Sequence, residues 1–148
     1  MSNRRAEIAM SPDEVLAFLD EERVVTVATL GRDGFPHLMP LWFVVRDGEL
    51  WGWTYGKSQK VVNLERDARC TLQVEAGDSY DQLRGVMVKA RAAVHRDSTL
   101  VAEIGNALSA RYGDGSEVDA RVAAKRVALQ FEVLSISSFD HRKLYGSG

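Results

Sequence analysis

Hydrophobic and polar positions alternate with a period of two along much of the chain, a pattern typical of strands with one buried face. The clearest example is 85–95, where Val86 and Val88 point one way and Met87 and Lys89 point the other. Other segments are shorter and rich in β-branched or aromatic residues. The predicted strands are 24–30, 37–45, 50–55, 70–75, 85–95 and 127–136.

Helical spacing of apolar residues is confined to three segments. The first begins at Ser11, which can cap a helix, with Pro12 at the first helical position and Glu14 three residues after the cap. The other two predicted helices are 57–66 and 98–112.

The order of these elements indicates the fold class. Gly31-Arg32-Asp33-Gly34 and Arg46-Asp47-Gly48-Glu49 have hairpin-turn chemistry, so the first three strands form an antiparallel meander. The order αβββαββαβ lacks the strand–helix alternation of a parallel sheet. The sequence therefore predicts a mainly β fold, a small closed or half-closed antiparallel barrel of six strands with peripheral helices.

Length and composition describe an ordinary globular chain. Its 148 residues predict one domain over 1–148, with 1–10 expected to be a flexible N-terminus. Hydrophobic residues make up 45% and charged residues 27%. A net charge of −2 provides no general attraction to nucleic acid or to a membrane surface, so neither is an expected partner.

Residues that could hold a metal are scarce. Cys70 is the single cysteine, so no internal disulfide can form. His37, His95 and His141 lack the spacing of metal ligands, and we expect no metal site.

No run approaches the ~18 apolar residues of a membrane span, and the N-terminus lacks a secretory pattern. A cytoplasmic location is expected.

The segment from Thr54 to Lys60 combines a strand end, a glycine and a helix N-terminus. Free amides and the helix dipole favour an anion there. Lys57 and Lys60, predicted to share the first helical turn, add charge, and Ser58 adds a hydroxyl donor. The segment therefore predicts a phosphate site, although a solvated helix start with two lysines explains the same residues. The glycine-rich spacing of a nucleoside triphosphate loop is absent.

Two other features have several interpretations. Pro36 and Pro40 in one predicted strand indicate an edge, a bulge, or backbone that faces a planar heteroaromatic ring. Trp51, Trp53 and Tyr55 share one strand face, which is more typical of a core or a dimer interface than of a cofactor wall.

Several of these motifs resemble those of a known family. Gly34-Phe35-Pro36-His37 and Lys57-Ser58-x-Lys60 resemble the flavin-binding split barrels of the pyridoxamine 5′-phosphate oxidase superfamily. Lys57-Ser58-x-Lys60 and the closing Phe139-Asp140-His141-Arg142-Lys143-Leu144 are similar to the F420-dependent oxidoreductases of its B group. The resemblance extends over about 12–144.

The resemblance implies a six-stranded split barrel that works as a homodimer, with two cofactors at the interface. It places the cofactor phosphate at Lys57, Ser58 and Lys60, and the ring along 37–41. The predicted cofactor-binding residues are Lys57, Ser58, Lys60, Thr54, Tyr55, Met39, Pro40 and Leu41.

The implied function is an F420-dependent oxidoreductase that transfers a hydride from reduced deazaflavin to small organic acceptors such as activated alkenes or quinones. Tyr55, Tyr80 and His37 are candidate donors to the acceptor. One alternative is an FMN-dependent oxidoreductase like pyridoxamine 5′-phosphate oxidase, although a matching set of basic residues for the substrate phosphate is not found. A second alternative is a non-catalytic protein that binds F420 or a haem-type ligand. A Rossmann glycine motif is absent, so nicotinamide is not the expected cofactor.

Overall fold

One antiparallel sheet dominates the computed structural model, which describes residues 3–145. Its seven strands are β1 (Val25–Leu30), β2 (Pro36–Leu41), β3 (Phe43–Arg46), β4 (Glu49–Tyr55), β5 (Arg69–Ala76), β6 (Arg84–His95) and β7 (Arg126–Asp140). The helices in the same range are α1 (Arg4–Ile8), α2 (Pro12–Glu21), α3 (Gln59–Arg66), α4 (Ser98–Tyr112), α5 (Ala120–Ala123) and α6 (Arg142–Tyr145).

The strand order forces the sheet to curl. That order is β2-β1-β5-β6-β7-β4-β3, so β2 and β3 occupy the two opposite edges. Trp42 alone separates the end of β2 at Leu41 from the start of β3 at Phe43. One residue can join two edges only if the edges lie close together, and the sheet therefore curls into a half-closed barrel.

The predicted mainly β split-barrel fold is confirmed, with seven strands rather than six. The predicted strand 37–45 is two strands, because its first half pairs with β1 and its second half pairs with β4. The helix predicted over 57–66 begins at Gln59, two residues later. β7 continues to Asp140, four residues beyond its predicted end.

The N-terminal segment holds a helix where the sequence predicts a flexible start. α1 spans Arg4–Ile8, and the amide of Met10 donates to Ser138 Oγ at 2.9 Å. The flexibility of 1–10 stays a prediction. Residues 1–2 and 146–148 of the predicted domain lie outside the described residues.

The main core fills the concave side of the sheet and is closed by α2 and α3. Its side chains alternate with exposed ones along the strands, as in β6, where Val86 and Val88 are buried and Met87 and Lys89 are exposed. The largest fully buried core residues are Phe43, Phe131, Leu50, Leu72 and Leu129.

A second, smaller core lies between α4 and the strands β3, β4 and β7. Val44, Trp51 and Ala128 from the strands pack against Val101 and Ile104 of α4. The aromatic stripe of β4 is therefore partly core, since Trp51 is buried beneath the helix.

The closing motif 139–144 ties the C-terminus to distant segments. Asp140 accepts hydrogen bonds from the Arg142 backbone and guanidinium, and these bonds hold the pKa of Asp140 below its ordinary value. Lys143 Nζ donates to Ala9 O at 2.9 Å and to Glu14 at 2.8 Å. Within residues 3–145, the motif therefore fastens the N-terminal helices to the barrel.

None of the helices between residues 3 and 145 has the length and apolar character required to cross a membrane.

Candidate functional site

Ser58 caps the N-terminus of α3, yet its hydroxyl makes no capping bond. The residue has extended backbone geometry, φ −67° and ψ 156°, as an N-cap should. Ser58 Oγ is buried and has no hydrogen-bond partner among the described residues. A buried polar atom without a partner costs free energy, so this hydroxyl is available to a ligand oxygen at the helix start.

Lys60, in the first turn of α3, is buried although its sequence context predicts an exposed lysine. Its side chain is 7% exposed, and Nζ donates to Thr54 Oγ1 of β4 at 3.1 Å. Burial lowers the pKa of Lys60 from its ordinary value. In the described part of the chain, no carboxylate forms an ion pair with this ammonium group. Among residues 3–145, the ammonium group of Lys60 therefore has one hydrogen-bond partner, a neutral hydroxyl.

A second buried polar contact fixes α3 to the barrel. Asn63 is fully buried, its Nδ2 donates to Thr29 Oγ1 at 3.0 Å, and its Oδ1 accepts from Gln59 Nε2 at 2.8 Å. Thr29 belongs to β1 and Thr54 to β4, so polar contacts to two separate strands set the position of the helix start. These contacts fix the position of the N-terminus of α3, a type of terminus whose free amides favour an anion.

Lys57 lies apart from this arrangement, and the prediction that Lys57 and Lys60 share one helical turn is wrong. α3 begins at Gln59, because Ser58 takes the extended cap conformation and leaves Lys57 in the preceding turn. Lys57 is exposed and lines a cavity of about 380 Å³ with Tyr55, Lys125 and Arg126. It adds positive charge beside the helix start and does not share a helix face with Lys60.

The strand predicted to face the cofactor ring is an edge strand. β2 pairs with β1 on one side and lies at the end of the sheet, which confirms the edge interpretation of its two prolines. Met39 and Pro40 are exposed and Leu41 is half-buried. The structure therefore leaves this strand open to a ligand along its outer side.

His37 and Tyr80, two of the candidate donors, occupy different surroundings. His37 Nδ1 is buried without a partner, and the residue lines a cavity of about 470 Å³ with Gln59 and Asn63. Tyr80 lies beyond the end of β5, where its ring packs 4.5 Å from that of His141. The structure thus brings His37, but not Tyr80, next to the start of α3.

Tyr55, the third candidate, lies under a guanidinium group that sequence reasoning missed. Arg126 Cζ is 3.7 Å from the centroid of the Tyr55 ring and 5.0 Å from that of Trp53. Tyr55 of β4 lies opposite Arg126 of β7, in a register that depends on long-range strand pairing. The sequence signal was limited to the basic pair Lys125-Arg126 before the last strand.

The arrangement at the start of α3 fits the phosphate of a flavin-type cofactor. It offers an unpartnered hydroxyl, free helix amides and a buried ammonium group, and all three favour an oxyanion. In residues 3–145 no cluster of three or more histidine, cysteine or acidic side chains could hold a metal ion.

Comparisons with known proteins agree with this fold. The protein-family model described as pyridoxamine 5′-phosphate oxidase matches residues 11–139. The chain is similar to the crystal structure of the conserved hypothetical protein Rv2991 from Mycobacterium tuberculosis, with 38% identity and a TM-score of 0.89. That match covers 99% of this chain and 95% of the other.

More distant solved structures share the fold alone. An F420 reductase matches with 23% identity and a TM-score of 0.69, over 82% of this chain and 94% of the other. A FAD-binding protein from Mesorhizobium loti matches with 19% identity and a TM-score of 0.69, over 88% and 94% of the two chains. No curated protein matches the chain at a significant level.

Proposed function

The chain belongs to the pyridoxamine 5′-phosphate oxidase family of split barrels, and on this premise we propose that it is an F420-dependent oxidoreductase acting as a homodimer. Its substrates would be small organic acceptors such as activated alkenes or quinones.

One observation supports a phosphate-bearing cofactor most directly, namely buried Lys60 and the buried hydroxyl of Ser58 at the start of α3. Lys60 Nζ has a neutral hydroxyl as its partner, and Ser58 Oγ has none among the described residues. Burying a charged or hydrogen-bonding group without a matching partner is unfavourable. A bound anion would provide that partner for the ammonium and hydroxyl groups. A cofactor phosphate held here would accept hydrogen bonds from both side chains and from the free amides of α3.

The cofactor ring would lie along the outer side of β2. This strand is an edge, so its outward backbone groups are available to the polar atoms of a heteroaromatic ring. The exposed side chains of Met39 and Pro40 would provide apolar contact. β2 and α3 both pack against β1, and this proximity supports a cofactor whose phosphate lies at α3 and whose ring lies along β2.

When bound, reduced F420 would supply a hydride, so that the acceptor gains this hydride and a proton and is reduced by two electrons. The chain's own residues would hold and orient the two partners. His37, which lines a cavity beside α3, is better placed than Tyr80 to donate a hydrogen bond near β2, since Tyr80 packs against His141.

A second candidate is an FMN-dependent oxidoreductase on the same site, which the family match favours. FMN also carries a phosphate, so the start of α3 does not distinguish the two cofactors. The resemblance of the segment 57–60 and of the closing motif to the F420-dependent group supports F420.

Turnover by the purified full-length protein tests the proposal. Reduced F420 is mixed with a quinone or an activated alkene, and formation of oxidised F420 is followed by absorbance. We expect acceptor-dependent oxidation that needs the protein, and none with NADPH alone because the nucleotide motif is absent. Turnover with NADPH in the absence of any flavin or deazaflavin would contradict the proposal.

A further inference from the structure

We propose that the cavity between α4, β4 and the β2–β3 bend binds a planar aromatic acceptor with a negatively charged oxygen group, and that Arg126 recognises this group. The inference rests on the proposed function for the role of acceptor, whereas the binding itself can be measured without any cofactor.

The cavity has a size and a lining that suit a small organic molecule. Its volume is about 640 Å³, within the range of typical ligand pockets. Most of its lining is apolar or aromatic. Its lining includes Pro40, Leu41, Trp42, Trp53, Gly105 and Arg126.

The two tryptophan walls are held in place by contacts outside the cavity. Trp53 Nε1 donates to the carbonyl of Val101 at 3.0 Å. Trp42 stacks on Tyr112 with ring centroids 4.6 Å apart and 3° between the planes. Flat, immobilised indoles favour a flat partner, because an aromatic ring gains most from offset or edge contact with another ring.

Gly105 makes room for the Trp53 wall. A Cβ built at this position would lie 2.8 Å from Trp53 Cζ2, closer than a Cβ atom approaches a neighbouring carbon. Glycine on this face of α4 therefore lets the indole lie against the helix backbone.

Arg126 supplies the charge that selects the ligand. Its guanidinium packs against the rings of Tyr55 and Trp53, with Cζ at 3.7 and 5.0 Å from their centroids. Arg126 Nε is buried with no hydrogen-bond partner, and no carboxylate in residues 3–145 forms an ion pair with it. A guanidinium held by aromatic rings is well suited to bind a carboxylate or sulfonate through two parallel hydrogen bonds.

The position of the cavity connects it to the proposed chemistry. Pro40 and Leu41 line it, and both belong to β2, the strand proposed to face the cofactor ring. A molecule in the cavity would therefore lie beside the ring, where an acceptor must be.

Calorimetric titration of the purified full-length protein, without added cofactor, tests the inference. The probes are 2-naphthoate and its neutral analogue 2-naphthamide. The variants are Arg126→Gln, Arg126→Lys, and Lys125→Gln as the matched control, since Lys125 is exposed and does not line this cavity. Thermal unfolding of each variant verifies that it is folded.

We expect the wild type and Lys125→Gln to prefer the naphthoate. Arg126→Gln should weaken naphthoate binding by about ten- to a hundredfold and leave naphthamide binding unchanged, as loss of a charge-assisted contact predicts. Arg126→Lys should keep part of the preference. Equal binding of the two probes by the wild type, no binding of either, or an unchanged preference in folded Arg126→Gln would overturn the inference.

A parallel titration with F420 separates this inference from the proposed function. If F420 fails to bind while the naphthoate preference depends on Arg126, the cofactor assignment falls and the anion-selective cavity stands. If F420 binds and the wild type does not prefer the naphthoate to the naphthamide, the cavity assignment is wrong and the cofactor assignment is unaffected.

Discussion

The ammonium group of Lys60 lies 3.1 Å from Thr54 Oγ1, in buried surroundings that contain no carboxylate partner for it among the described residues. An isolated ion in a low-dielectric environment is unfavourable, and the lowered pKa of Lys60 has the same physical cause. A residue kept at such a cost is typical of a binding site, where stability is given up for function.

Replacement of Lys60 by methionine should separate stability from binding. Methionine fills a similar volume without a charge, so Lys60→Met should leave the free energy of unfolding unchanged or raise it by up to about 1 kcal/mol. Cofactor affinity should fall by about ten- to a hundredfold, because a charge-assisted contact to phosphate is lost. Denaturant unfolding and a cofactor titration measure the two effects. A large loss of stability with unchanged affinity would assign Lys60 a structural role only.

Ser58→Ala should weaken cofactor binding without destabilising the protein. The Ser58 hydroxyl makes no capping bond in the free protein, so its loss costs α3 little. One hydrogen bond to the ligand is lost, and affinity should fall by about three- to tenfold.

Ser11→Ala is the matched control for that change. Ser11 caps α2 in a complete capping box with Glu14, so its removal should cost about 1 kcal/mol of stability and leave cofactor affinity unchanged. The opposite pattern, with Ser58→Ala destabilising and Ser11→Ala weakening binding, would contradict the assignment.

Cofactor affinity should decline at alkaline pH because Lys60 loses its proton. Burial places the pKa of Lys60 below its ordinary value of 10.5, so the folded protein releases this proton at a lower pH than the unfolded chain. Above the folded pKa, binding of phosphate requires uptake of a proton, and affinity falls by up to about tenfold per pH unit. Between the folded pKa and 10.5, the free energy of unfolding rises, because the unfolded chain holds the extra proton.

Lys60→Arg is the control for this pH dependence, since arginine keeps its charge across the same range. Titrations from neutral to alkaline pH should therefore show a decline in the wild type that is absent in the variant. A parallel decline in both proteins would trace the effect to another group.

The protein should sediment as a homodimer at micromolar concentration. Large apolar side chains remain exposed on the sheet, among them Leu134 at 52% and Ile136 at 47% on β7 and Leu38 at 58% on β2. Leu134 and Ile136 lie two residues apart on β7, and a monomer rarely exposes large neighbouring apolar side chains. Leu134→Asp should shift the equilibrium towards monomer, as a charge in an apolar interface does. A wild-type monomer by analytical ultracentrifugation would contradict the proposed assembly.

Local sequence signals predicted local structure well. The capping box at Ser11 and Glu14 forms as expected. Asp47 and Gly48 both adopt positive φ, at 52° and 77°, which is the geometry that an Asp-Gly hairpin turn requires. The alternation of apolar and polar residues over 85–95 corresponds to buried and exposed side chains along β6. Each of these patterns is determined by residues near one another in the chain.

Features that depend on long-range pairing could not be predicted from these local sequence patterns. The split of one predicted strand at Trp42 arises because the curled sheet needs two edges joined by one segment. Burial of Lys60 depends on β4 and α3 packing together, whereas periodicity treats a lysine as exposed. The approach of Arg126 to Tyr55 follows from the register of β4 and β7, which strand patterns alone do not specify.

The cofactor that binds at the start of α3 decides the proposed function most directly. Titrations of the purified apo-protein with F420 and with FMN, each repeated on Lys60→Met, measure this in one experiment. We expect F420 to bind more tightly than FMN, and Lys60→Met to weaken F420 binding by about ten- to a hundredfold. Absence of F420 binding by the folded wild type, or F420 affinity equal in wild type and Lys60→Met, would contradict the proposed function.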